Sequence, residues 1–466
     1  MKKYDDKSKN SILKYAQKLK GQTLKQACDD EIEKADFKGK GGFGQTLEKY
    51  YFGYEPNSNP EPDFKHVGME LKASPLKSLK NGRIQAKERI VLNIINYLEV
   101  HSESFEESSF WKKNAHLLLV FYHHSQDIHF LDYLIHLVDE WEYPEDDLHI
   151  IRQDWEFINQ KIILGKAHEL SEGDTFYLGA CTKGSTAEKS LRDQPFNDER
   201  AKQRAYSLKQ GYVNHIIANI SGNQKSKYGK FIKRPEVLQG HKSIEEFVIS
   251  RFAPFYEKSV EEIKTTLDVN LNRKSKNFTS SLASAILGIE TSHKIEEFEK
   301  ANIRIKAVRL KKNGLPKEHI SFRSFEYQEL VKADWEDCDF KNNLESKFFF
   351  VFFQIDEERL VLKKVGFWNM PQSDILEAKK VWNKTITLIK SGKIIKEIKN
   401  TKNGKRRYTF FPKPDENRVS HVRPHAKNSN DTIELPVPEK LTGANEYTKH
   451  CFWINARYVR DEIYLK

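Results

Sequence analysis

Residues 62–72 read Pro62-Asp63-Phe64-Lys65-His66-Val67-Gly68-Met69-Glu70-Leu71-Lys72. From Val67 to Ala73, small or apolar residues alternate with Glu70 and Lys72, which predicts a strand with one face in a core. The side chains of Glu70 and Lys72 then share the other face and can line a cleft. Asp63 enters beside them from a turn rich in proline and asparagine.

This acidic and basic set predicts metal-assisted phosphate chemistry. The carboxylates of Asp63 and Glu70 and the carbonyl of Leu71 can hold Mg²⁺, which takes oxygen ligands and needs few from the protein. The ion would polarise a phosphodiester and activate a water, and Lys72 would orient that water or stabilise the charge on the phosphate. Glu48, on the preceding predicted helix, is a further candidate ligand. The alternative is ordinary solvated surface, because so short a motif recurs by chance.

Composition limits the classes of partner. A chain of 466 residues with 38% hydrophobic and 12% aromatic residues predicts two to four folded domains. The formal net charge of +11 favours a polyanionic partner, either nucleic acid or an acidic membrane surface. Charge alone does not decide between such a partner and an ordinary solvated lysine surface. No apolar leader is visible, and the longest apolar run, 348–353, is too short to span a bilayer, so a cytoplasmic location without membrane contact is expected.

Several other chemistries find little support. The cysteines are scattered and form no C-x-x-C pair, which argues against a disulfide framework or a zinc knuckle. The histidines at 123, 124 and 129 lack a zinc-ligand spacing. The glycine-rich loop at 39–44 lacks the G-K-[ST] ending of a phosphate-binding loop.

Periodicity predicts the order of elements along the chain. Helices are expected over 11–35, 45–52 and 155–164, the last stopped by Gly165, and buried strands over 117–122 and 348–353. The polar, basic stretch that begins at Ser221 is the best candidate linker and divides the chain near its middle.

The second half echoes the first at a nearly constant offset, which indicates a duplication. Residues 277–288 mirror 42–53. Glu297-Phe298 and 303–307 mirror Asp63-Phe64 and 69–73. Trp382 and Gly392 mirror Trp155 and Gly165 at equal spacing.

The ordered blocks resemble a known nuclease family. Residues 44–48, 63–64 and 68–72 are similar to the catalytic block of the MutH mismatch-repair endonuclease, and the similarity continues through 154–156, 164–165, 177–178 and 182–184. It covers roughly residues 10–220. The full length, and strings such as 87–97, are more similar to the long type II restriction endonucleases of this family that cut at GATC.

The resemblance implies an α/β, mixed-sheet PD-(D/E)xK fold and Mg²⁺-dependent cleavage of double-stranded DNA at GATC. It makes Asp63 and Glu70 metal ligands, Lys72 the catalytic lysine and Glu48 an additional active-site glutamate. A further family lysine falls at Lys113, or at Lys112 if the alignment slips by one.

The resemblance also implies which segment reads DNA. Thr182, Lys183 and Gly184 match the family's base-reading loop, and a lysine there can donate to guanine O6 and N7. MutH has an arginine where this sequence has Cys181, which leaves the individual base contacts open. An ordinary phosphate contact by Lys183 would add affinity without specificity.

The second half is expected to be a copy without catalytic power. Ala283 stands where Glu48 would be and Arg304 where Glu70 would be, and an arginine repels a cation. Only Glu297 and Lys306 retain something of the original chemistry. A basic segment remains as a candidate DNA contact, with its side chains at Arg423, His425 and Lys427.

These observations predict a catalytic MutH-like domain at 1–220, a linker at 221–244 and a non-catalytic DNA-binding or regulatory domain at 245–466. The expected function is that of a type II restriction enzyme of a restriction–modification system, acting as a monomer or as a transient dimer on DNA and able to engage two sites. Two alternatives stay open: a nicking repair endonuclease that needs partner proteins, and a DNA-binding protein with a vestigial site.

Overall fold

The computed structural model describes residues 3–28, 32, 41–57, 59–79, 82–125, 127–184, 190–222, 228–233, 240–241, 243–401 and 404–466. Parts of the predicted glycine-rich loop (39–40) and linker (223–227, 234–239 and 242) lie outside these ranges. Within them, no helix has both the length and the apolar character that crossing a bilayer requires.

Helices and strands are interspersed along the chain. The helices are α1 Lys9–Gln17, α2 Leu24–Ala27, α3 Gly42–Thr46, α4 Tyr97–Val100, α5 Ser109–Asn114, α6 Glu145–Ile163, α7 Gln210–Ile220, α8 Ile244–Phe252, α9 Val260–Thr266, α10 Phe278–Ile286, α11 Glu296–Lys300, α12 Tyr327–Leu330, α13 Asp339–Leu344, α14 Gln372–Lys390 and α15 Ala456–Tyr458. The strands are β1 Glu70–Ser78, β2 Ile84–Ala86, β3 Ile90–Ile94, β4 His116–His123, β5 Ile135–Glu142, β6 Leu178–Thr182, β7 Leu191–Gln194, β8 Asn197–Lys202, β9 Arg204–Leu208, β10 Tyr228–Gly229, β11 Lys294–Ile295, β12 Arg304–Leu310, β13 Ile320–Ser321, β14 Phe348–Asp356, β15 Arg359–Trp368, β16 Ile395–Thr401, β17 Gly404–Thr409, β18 Ser420–Pro424, β19 Thr432–Glu434, β20 Glu446–Thr448 and β21 His450–Ile454. Two helices continue as π-helical turns, at Leu47–Phe52 and Val459–Tyr464.

The chain forms two compact units. Unit 1 comprises Met1–Gln239 and Ser292–Ile303, and unit 2 comprises Gly240–Thr291 and Arg304–Lys466. The division departs from the predicted boundaries in two places. Unit 1 extends to Gln239, through most of the predicted linker, and 292–303 belongs to unit 1 although the chain on both sides of it belongs to unit 2.

Unit 1 is built on a mixed sheet with the strand order β2-β1-β4-β5. Strand β1 pairs in parallel with β4, and β2 and β5 flank this pair in antiparallel orientation. Alternation along β1 sends Leu71 into a buried core with Ile12 of α1 and Leu118 of β4. Glu70 and Lys72 therefore lie on the opposite face, and the expected mixed α/β architecture is confirmed.

A tight turn delivers the chain into β1. Phe64 and Met69 exchange backbone hydrogen bonds of 2.9 and 3.3 Å around a single 3₁₀ turn at Lys65–Val67. Gly68 closes this turn at a φ of +65°, a conformation that glycine adopts without steric cost. The predicted strand at 67–73 is thus displaced: it begins at Glu70 and continues to Ser78.

A second sheet in unit 1, β3-β9-β6, carries the predicted DNA-reading segment at the end of β6. The start of β6 is fixed by Asp154 of α6, whose carboxylate accepts from the amides of Phe176, Tyr177 and Leu178 at 2.6–2.9 Å. Burial raises the pKa of Asp154 to about 6, against the opposing charge of Lys209.

Unit 2 has two three-stranded sheets and a core of its own. In the first, β12 pairs in parallel with β14, and β14 pairs antiparallel with β15. In the second, β21 lies between β13 and β18, antiparallel to both. All of Phe348–Phe353 is buried, as the apolar run predicts.

The predicted elements differ from the structure mainly at their ends. The helix expected over 11–35 is wrong in extent, because α1 ends at Gln17 and the short α2 begins only at Leu24. The helix expected over 155–164 begins ten residues earlier, after Pro144, and ends before Gly165 as predicted. The strand at 117–122 is confirmed within β4.

Part of the predicted linker is packed. Phe231 and Ile232 are buried, and their amides donate to the carboxylate of Glu297 at 3.1 and 2.9 Å. Strand β10 pairs with β11, and α11 approaches α7 so closely that a side chain at Gly211 would collide with the carbonyl of Glu299. Residues 228–233 are therefore part of the fold of unit 1.

Candidate active site

The turn into β1 brings Asp63 and Glu70 together. The amide of Asp63 donates to Glu70 Oε2 at 3.1 Å, and the amide of Leu71 donates to Asp63 Oδ2 at 3.0 Å. Each carboxylate is thereby held by the backbone beside the other. Glu70 is buried, so this pair is not the solvated surface that a chance motif would occupy.

Two lysines approach the same carboxylate oxygen. Lys72 Nζ lies 2.8 Å from Glu70 Oε1 and 3.4 Å from the carbonyl of Leu92. Lys113 Nζ, from α5, lies 3.6 Å from Glu70 Oε1 and donates to the carbonyl of Asn59. Lys112 instead pairs with Glu107 at the surface, so of the two alternatives it is Lys113 that reaches this site.

Glu48 faces the same group from the π-helical turn. Burial raises its pKa to about 7, and the negative charge of Asp63 acts in the same direction. Burial and the charge of Glu70 likewise raise the pKa of Asp63 to about 7. Glu48 and Asp63 thus share with Glu70 a partly buried space in which burial and neighbouring negative charge resist the ionisation of Glu48 and Asp63.

This donor set fits a hard divalent cation. It consists of oxygen atoms alone, which Mg²⁺ prefers, and its carboxylates would ionise more readily beside a positive charge. Leu71 stands between Glu70 and Lys72 in the sequence of β1.

A second group of potential ligands lies on the other face of the sheet. His116, Glu140 and Glu142 place ligand atoms within 4.8 Å of one another. Lys9 Nζ of α1 lies 2.9 and 3.0 Å from the two glutamates. The lysine ammonium already neutralises these carboxylates, so this group is an ion-pair network.

The predicted DNA-reading residues lie at the end of β6. Thr182 is the last residue of the strand, and Lys183 and Gly184 follow it at the surface. The amide of Lys183 donates to the carbonyl of Gln203 at 2.8 Å, which fixes the backbone while the side chain remains exposed. Cys181 is buried, so its side chain is not placed for a DNA contact.

In the second half of the chain, the positions that mirror the candidate active site have different side chains and different surroundings. Ala283 is buried in α10, while Arg304 and Lys306 stand two residues apart on β12. Burial and the charge of Arg304 lower the pKa of Lys306. Glu297, which mirrors Asp63, belongs to unit 1, where burial raises its pKa to about 7 and it binds backbone amides.

The basic segment of unit 2 is exposed at the end of β18. The guanidinium of Arg423 lies 5.6 Å from the ring centroid of Trp453, and the ring of His425 lies 5.7 Å from the same indole. Lys427 is exposed, and its amide donates to Asp431. These three side chains therefore occupy one surface stretch.

Two residues near the sites in unit 1 were not singled out by the sequence. Arg89 pairs with Glu172, and its positive charge acts on the thiol of the neighbouring Cys181. Tyr54 follows the π-helical turn, and its hydroxyl is buried near the three carboxylates. Neither residue lies in a sequence motif with a recognisable spacing. Both reach their sites through tertiary packing.

Known proteins have sequences similar to this chain. A family model for the DNA mismatch repair enzyme MutH matches residues 52–154. The DNA mismatch repair protein MutH of Shewanella woodyi is 27% identical over 224 residues, 47% of this chain and 95% of that protein. MutH of Shewanella amazonensis is 33% identical over 132 residues, 28% and 57% of the two chains. Fold, site and matches together define a site-specific nuclease, a hydrolase that acts on DNA.

A longer match extends through both units. The type II restriction enzyme Sau3AI of Staphylococcus aureus is 37% identical over 458 residues, 91% of this chain and 92% of that enzyme. The chain therefore belongs to the family of MutH-like type II restriction endonucleases, as the ordered sequence blocks predict.

Proposed function

We propose that unit 1 hydrolyses phosphodiester bonds of double-stranded DNA at GATC with Mg²⁺ as cofactor. The observation that carries this proposal is the interlocked pair of Asp63 and Glu70 with Lys72 on the oxygen of Glu70. Buried, mutually repelling carboxylates beside a lysine are costly for stability, and a metal-dependent active site accounts for that cost.

The residues divide the chemistry among them. Asp63, Glu70 and the carbonyl of Leu71 would hold the ion. When bound, Mg²⁺ supplies Lewis-acid polarisation of the phosphate and a water of lowered pKa. Lys72 stabilises the charge that develops on the phosphate, and Lys113 adds a second positive charge near Glu70 Oε1. Glu48, with its raised pKa, can accept a proton near neutral pH.

Base reading is assigned to the end of β6. Thr182, Lys183 and Gly184 present an exposed lysine on a backbone fixed by the sheet, which suits a major-groove donor. Arg89 adds a guanidinium beside Cys181, held by Glu172. Arg89 would then supply the arginine contact that Cys181 on β6 cannot make.

For unit 2 we propose a degenerate copy of the same PD-(D/E)xK fold that binds DNA without cutting it. In both units a parallel strand pair is extended by an antiparallel strand, and a second antiparallel sheet carries a basic segment at a strand end. Ala283 and Arg304 remove the acidic ligands, while Arg423, His425 and Lys427 keep positive or protonatable groups exposed. The enzyme would then engage two GATC sites, as a monomer or as a transient dimer.

Plasmid cleavage tests the proposed activity. Purified full-length protein with Mg²⁺ should convert unmethylated plasmid into fragments that end at GATC, and EDTA should prevent this. Nicked circles as the sole product would favour the repair-type activity instead. Shifted but uncut DNA would contradict catalysis by unit 1.

A further inference from the structure

The hydroxyl of Tyr54 is unusual among the tyrosines around it. Tyr4 donates to the carbonyl of Phe52 at 2.9 Å, and Tyr51 donates to the carbonyl of Tyr15 at 2.7 Å. The Tyr54 hydroxyl is also shielded from solvent, yet it has no hydrogen-bond partner among the described residues. A buried hydroxyl without a partner lowers stability, so it calls for an explanation.

The backbone and the ring fix where this hydroxyl lies. Gly53 ends the π-helical turn at a φ of +73°, and the amide of Tyr54 then donates to the carbonyl of Glu48 at 3.1 Å. The ring packs edge-on against Phe64, the neighbour of Asp63, with centroids 5.9 Å apart. Tyr54 is therefore held by two contacts, one with the backbone of Glu48 and one with the neighbour of Asp63.

The carboxylates of the candidate site act on this hydroxyl. Burial raises the pKa of Tyr54 well above its usual range, and the charges of Asp63, Glu48 and Glu70 act in the same direction. The phenol thus remains neutral at physiological pH. It offers one proton and two lone pairs on a residue that contacts Glu48 through its amide and the neighbour of Asp63 through its ring.

We propose that Tyr54 is a positioning residue whose hydroxyl hydrogen-bonds a water molecule carried by the divalent cation at Asp63 and Glu70. Mg²⁺ keeps several of its waters when few protein ligands hold it, and these waters need hydrogen-bond partners. The unpartnered phenol would supply one. This inference rests on the proposed metal site and adds to it a residue that contacts the ion through water.

The effect of Tyr54→Phe distinguishes this role from a structural one. Without an ion the variant should be at least as stable as the wild type, because it removes a buried polar group that has no partner. Its affinity for Mn²⁺ should be weaker by about 3- to 10-fold, the usual loss for one hydrogen bond. Tyr51→Phe is the matched control: it loses the bond to the carbonyl of Tyr15, so it should melt earlier and bind Mn²⁺ as the wild type does.

The experiment uses the full chain without DNA. Free Mn²⁺ is counted by electron paramagnetic resonance in a titration, and melting temperatures are recorded with and without Ca²⁺. Wild-type Mn²⁺ affinity in Tyr54→Phe, or a lowered melting temperature of its ion-free form, would overturn the role of Tyr54. Glu70→Ala separates the two proposals: if it keeps wild-type Mn²⁺ affinity, the metal site itself is wrong.

Discussion

Lys300 and Asp147 form an ion pair of 2.7 Å in which each side chain is only 3% exposed. Lys300 also lies 2.8 Å from Glu296, and Asp147 accepts from the hydroxyl of Tyr212 at 3.1 Å. The two charged residues are 153 positions apart in the chain. Their pairing fixes 292–303 within unit 1.

Breaking this pair should destabilise unit 1. Lys300→Met leaves Asp147 as a buried charge without its main partner, at an expected cost of about 3–5 kcal/mol. Hydrogen exchange of unit 1 peptides measures the loss, and adding Asp147→Asn should recover part of it. Lys294→Ala, which removes an exposed pair with Glu299, is the control and should cost under about 1 kcal/mol. Equal losses in the two lysine variants would contradict a special role for the buried pair.

Removing the proposed metal ligand Glu70 should separate cleavage from binding. Glu70→Ala should lower the rate of DNA cleavage by at least about 10²–10³-fold while DNA affinity in Ca²⁺ stays near wild type, because no base contact is lost. Lys72→Ala should behave in the same way. Glu61→Gln, at an exposed neighbouring position, serves as the control. Near-normal cleavage by Glu70→Ala would reject the proposed site.

Lys183→Ala should reduce discrimination rather than general affinity. A good base contact contributes about 1–3 kcal/mol of specificity, so binding to GATC duplexes should weaken far more than binding to random duplexes. Fluorescence anisotropy at fixed salt concentration measures both affinities. Lys166→Ala removes another exposed lysine and should leave the ratio unchanged. A parallel fall in both affinities would make Lys183 a phosphate contact.

The exposed basic segment of unit 2 should matter only when two sites are present. If unit 2 holds a second GATC site, tethering raises its effective concentration, and two-site plasmids should be cut faster than one-site plasmids. Arg423→Ala together with Lys427→Ala should remove this advantage and spare the one-site rate. Equal wild-type rates on both plasmids would reject the two-site proposal.

Acid should destabilise unit 2 through a buried histidine. Burial lowers the pKa of His450 to about 4, whereas in the unfolded chain it is near 6.5. Between these values the unfolded state binds more protons, so stability falls as pH drops from 6.5 to 4, by about 3 kcal/mol. His450→Gln should flatten this part of the stability–pH curve, followed by hydrogen exchange of unit 2 peptides. An unchanged slope would show that His450 does not titrate in this way.

What the sequence could predict depends on how local the feature is. Glu70 and Lys72 share a strand, and Asp63 reaches them through one short turn, so their proximity is encoded within ten residues. Glu48 stood out only as one more carboxylate on the preceding predicted helix until the family resemblance placed it in the active site. Lys113 came from the resemblance alone, because its distance along the chain carries no local signal.

Features that depend on tertiary packing were not predictable. The unpartnered hydroxyl of Tyr54 exists only because its surroundings exclude water, and Arg89 reaches Cys181 through the packing of separate strands. The helix expected over 11–35 is too long for a similar reason. Gly21 has a φ of +83°, and its amide donates to the carbonyl of Ile135 on β5. This tertiary contact prevents the helix from continuing past Gly21.

The membership of 292–303 in unit 1 bears on how this gene could be divided. The polypeptide passes from one unit to the other three times, at 239/240, 291/292 and 303/304. A cut after residue 239 would therefore give two fragments, of which the first lacks the lysine that neutralises Asp147 and the second carries an orphaned helix with Lys300 exposed. Expressed separately, neither fragment is a whole module. Split-gene complementation, in which both pieces are made in one cell, should restore what each alone lacks.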